Sequence, residues 1–236
     1  MKSLTRHIPN FITLCSLLSG TVGIVAVFQW DVRYGAYFIW VGALLDFLDG
    51  FFARLLGAYS EIGKELDSLA DMVTFGLLPA FMMFGILSAF PHVHPYLPYM
   101  SFIIPVLSAL RLAKFNIDIR QKEDFIGLPT PANALLLSGI PFMTDIDFLH
   151  FTGSPVFISL TLLIGSLLMI SPIRFVSLKF KNLKTGDNLH RLAIIIAALL
   201  FLILFNIKGV TPALVSYIII SLLANLFAKR KAESFN

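Results

Sequence analysis

Read along the chain, polar positions fall in short clusters and apolar positions in long unbroken runs, too long for strands and without the two-residue alternation of a half-buried sheet. With a window of about 19 residues, and Pro, Gly and charge clusters as boundaries, the pattern predicts eight helical spans. They run from Phe11 to Trp30, Tyr34 to Gly57, Glu65 to Ser88, Tyr96 to Ala113, Thr130 to Phe148, Pro155 to Pro172, Arg191 to Ile207 and Val210 to Ala228. Each approaches the roughly 20 residues that cross about 30 Å of hydrocarbon. The expected fold is an all-α integral membrane bundle of about eight helices, residues 1–236 forming one polytopic domain.

Composition agrees with this solvent. Of the 236 residues 57% are hydrophobic and only 14% charged, well below the roughly 25% usual for soluble domains. An even number of spans places both termini on one side and sorts the cations: Arg33 and Lys208 fall on one face, the remaining sixteen of eighteen on the other. By the positive-inside rule the basic face is cytoplasmic, so the net charge of +4 reads as a topological signal with no nucleic-acid partner implied. The first span is long and lacks a small-residue cleavage site, as expected of a retained helix. Cys15, the sole cysteine, lies inside that span and excludes an internal disulfide. His92 and His94 sit between Pro91 and Pro95 with no third ligand apparent, which favours an ordinary loop. Trp30, Trp40, Tyr96 and Tyr99 read as interfacial anchors or packing, and the 23 phenylalanines as lipid-facing bulk.

Against this background four acidic residues stand out inside the apolar spans. Asp46 and Asp49 lie roughly 60° apart on one helix, and Asp67 and Asp71 roughly 40° apart on the next. The short connection from Gly57 to Gly63 makes the two helices antiparallel neighbours, so four carboxylates converge near one surface. Ionised aspartate within a span costs about 2.5–3.5 kcal/mol each, and four together repel. Divalent cations are the natural compensation: an all-carboxylate set suits Mg²⁺ or Mn²⁺, with Ca²⁺ possible by charge, and two ions about 3.5–4 Å apart match the arrangement used on phosphate esters. Gly50 and Ala53 strip bulk from the helix face where a nucleotide would approach, Arg54 offers a fork for phosphate oxygens, and Gly63 lets the entering chain pass close to a ligand. Taken singly, the same residues read equally as tight-packing positions and a topological cation.

The run Asp46-x-x-Asp49-Gly50-x-x-Ala53-Arg54, eight residues, then Gly63-x-x-x-Asp67-x-x-x-Asp71 resembles the signature of the CDP-alcohol phosphotransferases at every position. The resemblance covers about residues 8–135, the expected catalytic core. It implies displacement of CMP from a CDP-linked lipid by an alcohol, with Asp46, Asp49, Asp67 and Asp71 as metal ligands and Asp71 also as general base. Pro9-Asn10-Phe-Ile-Thr13 is similar to the family's entry segment beside the nucleotide, which adds Asn10 and Thr13 to a CDP-lipid set with Gly50, Ala53, Arg54 and Gly63. A homodimer is expected on the same ground.

Two further segments, Arg111-Leu-Ala-Lys114-Phe-Asn116 and Phe125-Ile-Gly127-Leu-Pro129-Thr130-Pro131-Ala132-Asn133-Ala134, resemble those of the family branch that takes CDP-diacylglycerol and L-serine to phosphatidylserine and CMP. Asn133 departs from the small residue of many members. Physically, Gly127 and Pro129 build a turn whose following backbone N–H groups near Thr130 can hold a carboxylate or phosphate, with Arg111, Lys114 and Asn116 adding donors. A Pro-capped helix start beside topological cations is the plainer reading of the same residues. Glycerol 3-phosphate or inositol as acceptor remains the alternative within the family, and a cation-coupled transporter the alternative outside it. The expected location is the cell's inner membrane, with the active site on its cytoplasmic side.

Overall fold

The computed structural model describes residues 7–117, 125–143, 153–176 and 185–233. Eight helical segments account for nearly all of them. They are α1 (Ile8–Gln29), α2 (Val32–Leu56), α3 (Glu61–Ser88), α4 (Leu97–Ile117), α5 (Thr130–Ser138, continued by a turn at Ile140–Met143), α6 (Pro155–Ile170), α7 (Thr185–Phe205) and α8 (Val210–Glu233). Five stretches, α1, α2, α3, α4 and Asn188–Leu226, are long and apolar enough to cross a membrane. The protein is therefore an all-α, multi-pass membrane protein. The last stretch contains both α7 and α8: a 3₁₀ turn at Asn206–Gly209, with Asn206 at φ 50°, separates two helices that pack on each other.

Several of the expected spans are displaced at their ends, and at the start of α3 a cap explains the shift. Ser60 accepts the Gly63 N–H at 3.0 Å, so α3 starts at Glu61 rather than Glu65. Gly57, at φ 59°, ends α2 in the left-handed conformation that glycine adopts without Cβ strain. The fourth helix runs on to Ile117, beyond the expected Ala113, and α7 begins at Thr185, before the expected Arg191. Beyond Met143, the predicted fifth span falls outside the described residues, as do Lys2, Arg6, Arg120, Lys122, Lys179, Lys181 and Lys184. One element is not helical: Phe125 pairs with Phe175 and Ile126 with Arg174 in a two-residue antiparallel bridge.

Burial inverts the soluble pattern. On α1 the buried positions are Pro9, Thr13, Ser16, Ser19, Gly20, Gly23, Ala26 and Val27, most of them small, whereas Phe11, Leu14, Leu18, Val22 and Val25 face outward. Lipid solvates large side chains as well as a core does, so small residues on the inner face let backbones approach. The closest approach is around Thr74, fully buried in a π-helical turn, Met72–Leu77, that immediately follows Asp71. Its hydroxyl donates to the Ser16 carbonyl at 2.9 Å. A Cβ on Gly20 would lie 2.6 Å from its Oγ1, and one on Gly42 would overlap its methyl. Thr74 thus plugs a socket formed by α1 and α2 and fixes the axial register of α3 against both.

A consequence is testable in detergent. Gly42→Ala is expected to lower stability by about 1–3 kcal/mol through overpacking, and Thr74→Ser, which removes the overlapping methyl, to restore most of it in the double variant. Thermal unfolding of the four proteins checks the coupling, and additive effects would show that the socket does not set this contact.

A carboxylate-lined cleft and its surroundings

Because Gly57 to Ser60 is a short, capped turn, α2 and α3 run back against each other and bring the acidic pairs to one level. Asp46, Asp49 and Asp67 each place a carboxylate oxygen within 4.8 Å of the others. Asp46 is also within hydrogen-bonding range of Asp71, which lies deeper and is buried. Asp49 is buried too, and the Thr13 hydroxyl donates to its Oδ2 at 2.6 Å, with the Pro9 carbonyl at 3.0 Å as the competing acceptor. Three carboxylates at this spacing, one already oriented by a hydroxyl, form an all-oxygen set of the kind that hard divalent cations take.

Beside the carboxylates opens a cleft of about 220 Å³. Its wall contains Asn10, Thr13, Gly50, Ala53 and Gly63, five of the residues expected to meet a CDP-lipid, together with Asp49 and Asp67. Arg54 is exposed and outside that wall, its guanidinium 3.5 Å from where a Cβ on Gly50 would stand. At Gly63 a Cβ would come within 2.8 Å of Asn10 Oδ1, so this glycine admits a side chain of α1 as well as bordering the cleft. Pro9, from the expected entry segment, is in the wall too, and Ala58, Tyr59, Ser60 and Lys64, which were not anticipated, complete it. All but Pro9 fall in or beside the eight-residue gap within the aspartate motif, which a tight turn must fold back over the carboxylates.

The residues expected to meet an acceptor lie outside this wall. Arg111, buried on α4, is near enough to Asp71 for its positive charge to act on that carboxylate, and its guanidinium carbon stands 5.0 Å from the Phe115 ring centre. Its Nε has no hydrogen-bond partner among the described residues. Lys114 is exposed in the last turn of α4. Asn116 is a fastening: its amide donates to Ser68 Oγ at 2.8 Å, and its carbonyl accepts from Lys64 Nζ at 2.8 Å. Gly127, at φ 81°, is pressed on the Met169 carbonyl so closely that no Cβ fits, and its N–H donates to the Ile173 carbonyl at 2.8 Å. Pro129 caps α5, where Thr130 and Asn133 are fully buried with no hydrogen-bond partner among the described residues for Thr130 Oγ1 or either polar atom of the Asn133 amide. Such groups usually carry a partner, so this row stands out as a place for a polar ligand or water.

Fold and cleft together define a polytopic helical membrane protein with an acidic, cation-competent site on two neighbouring helices. Residues 6–170 match the profile of the CDP-alcohol phosphatidyltransferases, and the chain belongs to that family. It is similar to the CDP-diacylglycerol--serine O-phosphatidyltransferase of Bacillus subtilis, 32% identical over 185 residues, covering 77% of this chain and 98% of the relative. The proteins of the same name from Helicobacter pylori (30% identical; 82% of this chain, 81% of the relative) and Methanocaldococcus jannaschii (34% identical; 71% and 73%) are similar as well.

Proposed function

We propose that this chain transfers the phosphatidyl group of CDP-diacylglycerol to L-serine, giving phosphatidylserine and CMP. The observation that carries the reading is the cluster of Asp46, Asp49 and Asp67, with Asp71 buried behind Asp46, beside a cleft that Asp49 and Asp67 line, in a chain whose relatives from three organisms bear that activity in their names. Asp46, Asp49 and Asp67, with Asp71 behind them, would hold one or two divalent cations, Mg²⁺ or Mn²⁺. Bound there, a cation neutralises charge on the diphosphate and on the departing phosphate.

The protein's own residues divide the remaining work. Thr13 fixes the orientation of the Asp49 carboxylate, and Gly50, Ala53, Asn10 and Gly63 shape a wall that admits the cytidine end of the donor. Asp71 accepts the proton of the serine hydroxyl. The freed oxygen forms a bond to the phosphorus that bears diacylglycerol, and the bond from that phosphorus to the CMP oxygen breaks. Arg111 holds Asp71 in place electrostatically and offers donors to the serine carboxylate, with Lys114, Asn116 and the Gly127–Pro129–Thr130 turn forming the acceptor side. The buried polar atoms of Thr130 and Asn133, without a hydrogen-bond partner among the described residues, support an acceptor with more than one polar group.

Eight crossings with both termini in the cytoplasm fit the eight apolar segments and the sorting of cations, and put the cleft at the inner-membrane surface where serine and CMP are soluble. Residues 1–236 then form one membrane domain, with its catalytic core at about 8–135, and we expect it to work as a homodimer. Purified protein given CDP-diacylglycerol, Mn²⁺ and labelled L-serine, glycerol 3-phosphate or inositol is expected to label phosphatidylserine and release CMP one for one. Label from inositol or glycerol 3-phosphate alone would move the acceptor; cation flux in proteoliposomes without CMP release would replace the reaction class.

A further inference from the structure

We propose that Lys64 is a diphosphate-binding residue of the cleft, released from a parking place on the end of α4 when the donor enters; this rests on the CDP-lipid reading above. Among the residues of the cleft wall Lys64 is the one cation, and it stands beside Asp49 and Asp67. It lies in the first turn of α3, three residues before Asp67 and therefore on nearly the same helical face. Its ammonium gives one of its three donors to the Asn116 carbonyl at 2.8 Å, in an exposed setting that a long, flexible stem can leave.

Asn116 stays tied to α3 through its amide on Ser68 Oγ at 2.8 Å, so this end of α4 keeps a hold when Lys64 departs. A diphosphate brought against Asp49 and Asp67 adds anionic oxygens to a wall already acidic, and each oxygen needs donors or positive charge. Arg54, the cation that the motif itself supplies, lies outside the wall beside Gly50. Lys64 is placed to take that part, exchanging a neutral carbonyl for a charged oxygen, which makes the stronger hydrogen bond.

The test compares wild type with Lys64→Gln, Lys64→Arg and Ser68→Ala, all purified in the same detergent with Mn²⁺. Lys64→Gln is expected to raise KM for CDP-diacylglycerol roughly tenfold, the size of one lost charge-assisted hydrogen bond, with KM for L-serine and kcat changed less than about twofold. Lys64→Arg is expected to recover most of the loss. CDP should inhibit Lys64→Gln roughly tenfold more weakly than wild type, and cytidine, which lacks phosphate, equally well. Ser68→Ala removes the neighbouring fastening without touching the charge and should behave as wild type. An unchanged KM in Lys64→Gln, a rise shared equally by serine, or the same rise in Ser68→Ala would overturn the inference. A wild-type protein that neither uses CDP-diacylglycerol nor is bound by CDP would instead sink the donor reading on which it stands.

Discussion

Replacing Asp71 by Asn is expected to lower kcat by about 10²–10⁴-fold, the range that a positioned general base contributes, when measured at Mn²⁺ concentrations that saturate the site left by Asp46, Asp49 and Asp67. Asn keeps the shape of the side chain and removes the group that takes the serine proton. The expected signature is therefore a fall in kcat and kcat/KM together, with little change in KM for either substrate. Asp71 is buried within electrostatic reach of Arg111, so the variant takes a negative charge away from that guanidinium. Thermal unfolding with and without CMP separates this structural effect from the chemical one. A folded, metal-loaded Asp71→Asn protein that turns over at the normal rate would end the assignment of the base.

Asp46→Asn is expected to weaken Mn²⁺ binding by at least about 100-fold and to abolish turnover, since loss of an outer-shell partner alone lowers metal affinity roughly 10–100-fold. Asp46 is the carboxylate that reaches both Asp67 and Asp71, so its removal breaks the cluster at its centre. Thr13→Val provides the graded comparison. It keeps the volume of the side chain and removes the hydroxyl that bonds Asp49 at 2.6 Å and reaches the Pro9 carbonyl at 3.0 Å, so its effect on Mn²⁺ affinity should fall within that outer-shell range. Titration of Mn²⁺ by paramagnetic resonance or calorimetry reads both. Equal affinity in all three proteins would show that cations bind elsewhere or not at all.

Much of the membrane fold was legible in the chain. Long apolar runs admit little besides helices, because in lipid each backbone N–H and C=O must be satisfied within its own segment. The cations, the turn residues and the aspartate spacing then follow the same one-dimensional logic. The end of α2 at Gly57 was read correctly, whereas the start of α3 was not, because the Ser60 cap sets it by a local hydrogen bond that a hydropathy window averages away. The inward face of α1 was not legible either. Its large residues point out and its small ones in, and periodicity of hydrophobicity carries no such sign when every residue is apolar.

In the site, the aspartate register followed from helix geometry, but the division of labour around it did not. Thr13 and Asp49 are 36 residues apart in sequence, and only the docking of α1 on α2 puts a hydroxyl 2.6 Å from that carboxylate. Asn116 lay in a motif that suggested an acceptor, and nothing in that motif foretold that its carbonyl and amide also fasten α4 to α3. Lys64 carried no motif weight and stands in the wall, while Arg54 carried much and stands outside it. Sequence alone determined that four carboxylates share one end of two neighbouring membrane helices, because spacing along a helix fixes direction around its axis. Only the tertiary structure decided which other side chains reach them, because that depends on how far each helix slides past the next, and here Thr74 in its glycine socket sets that slide.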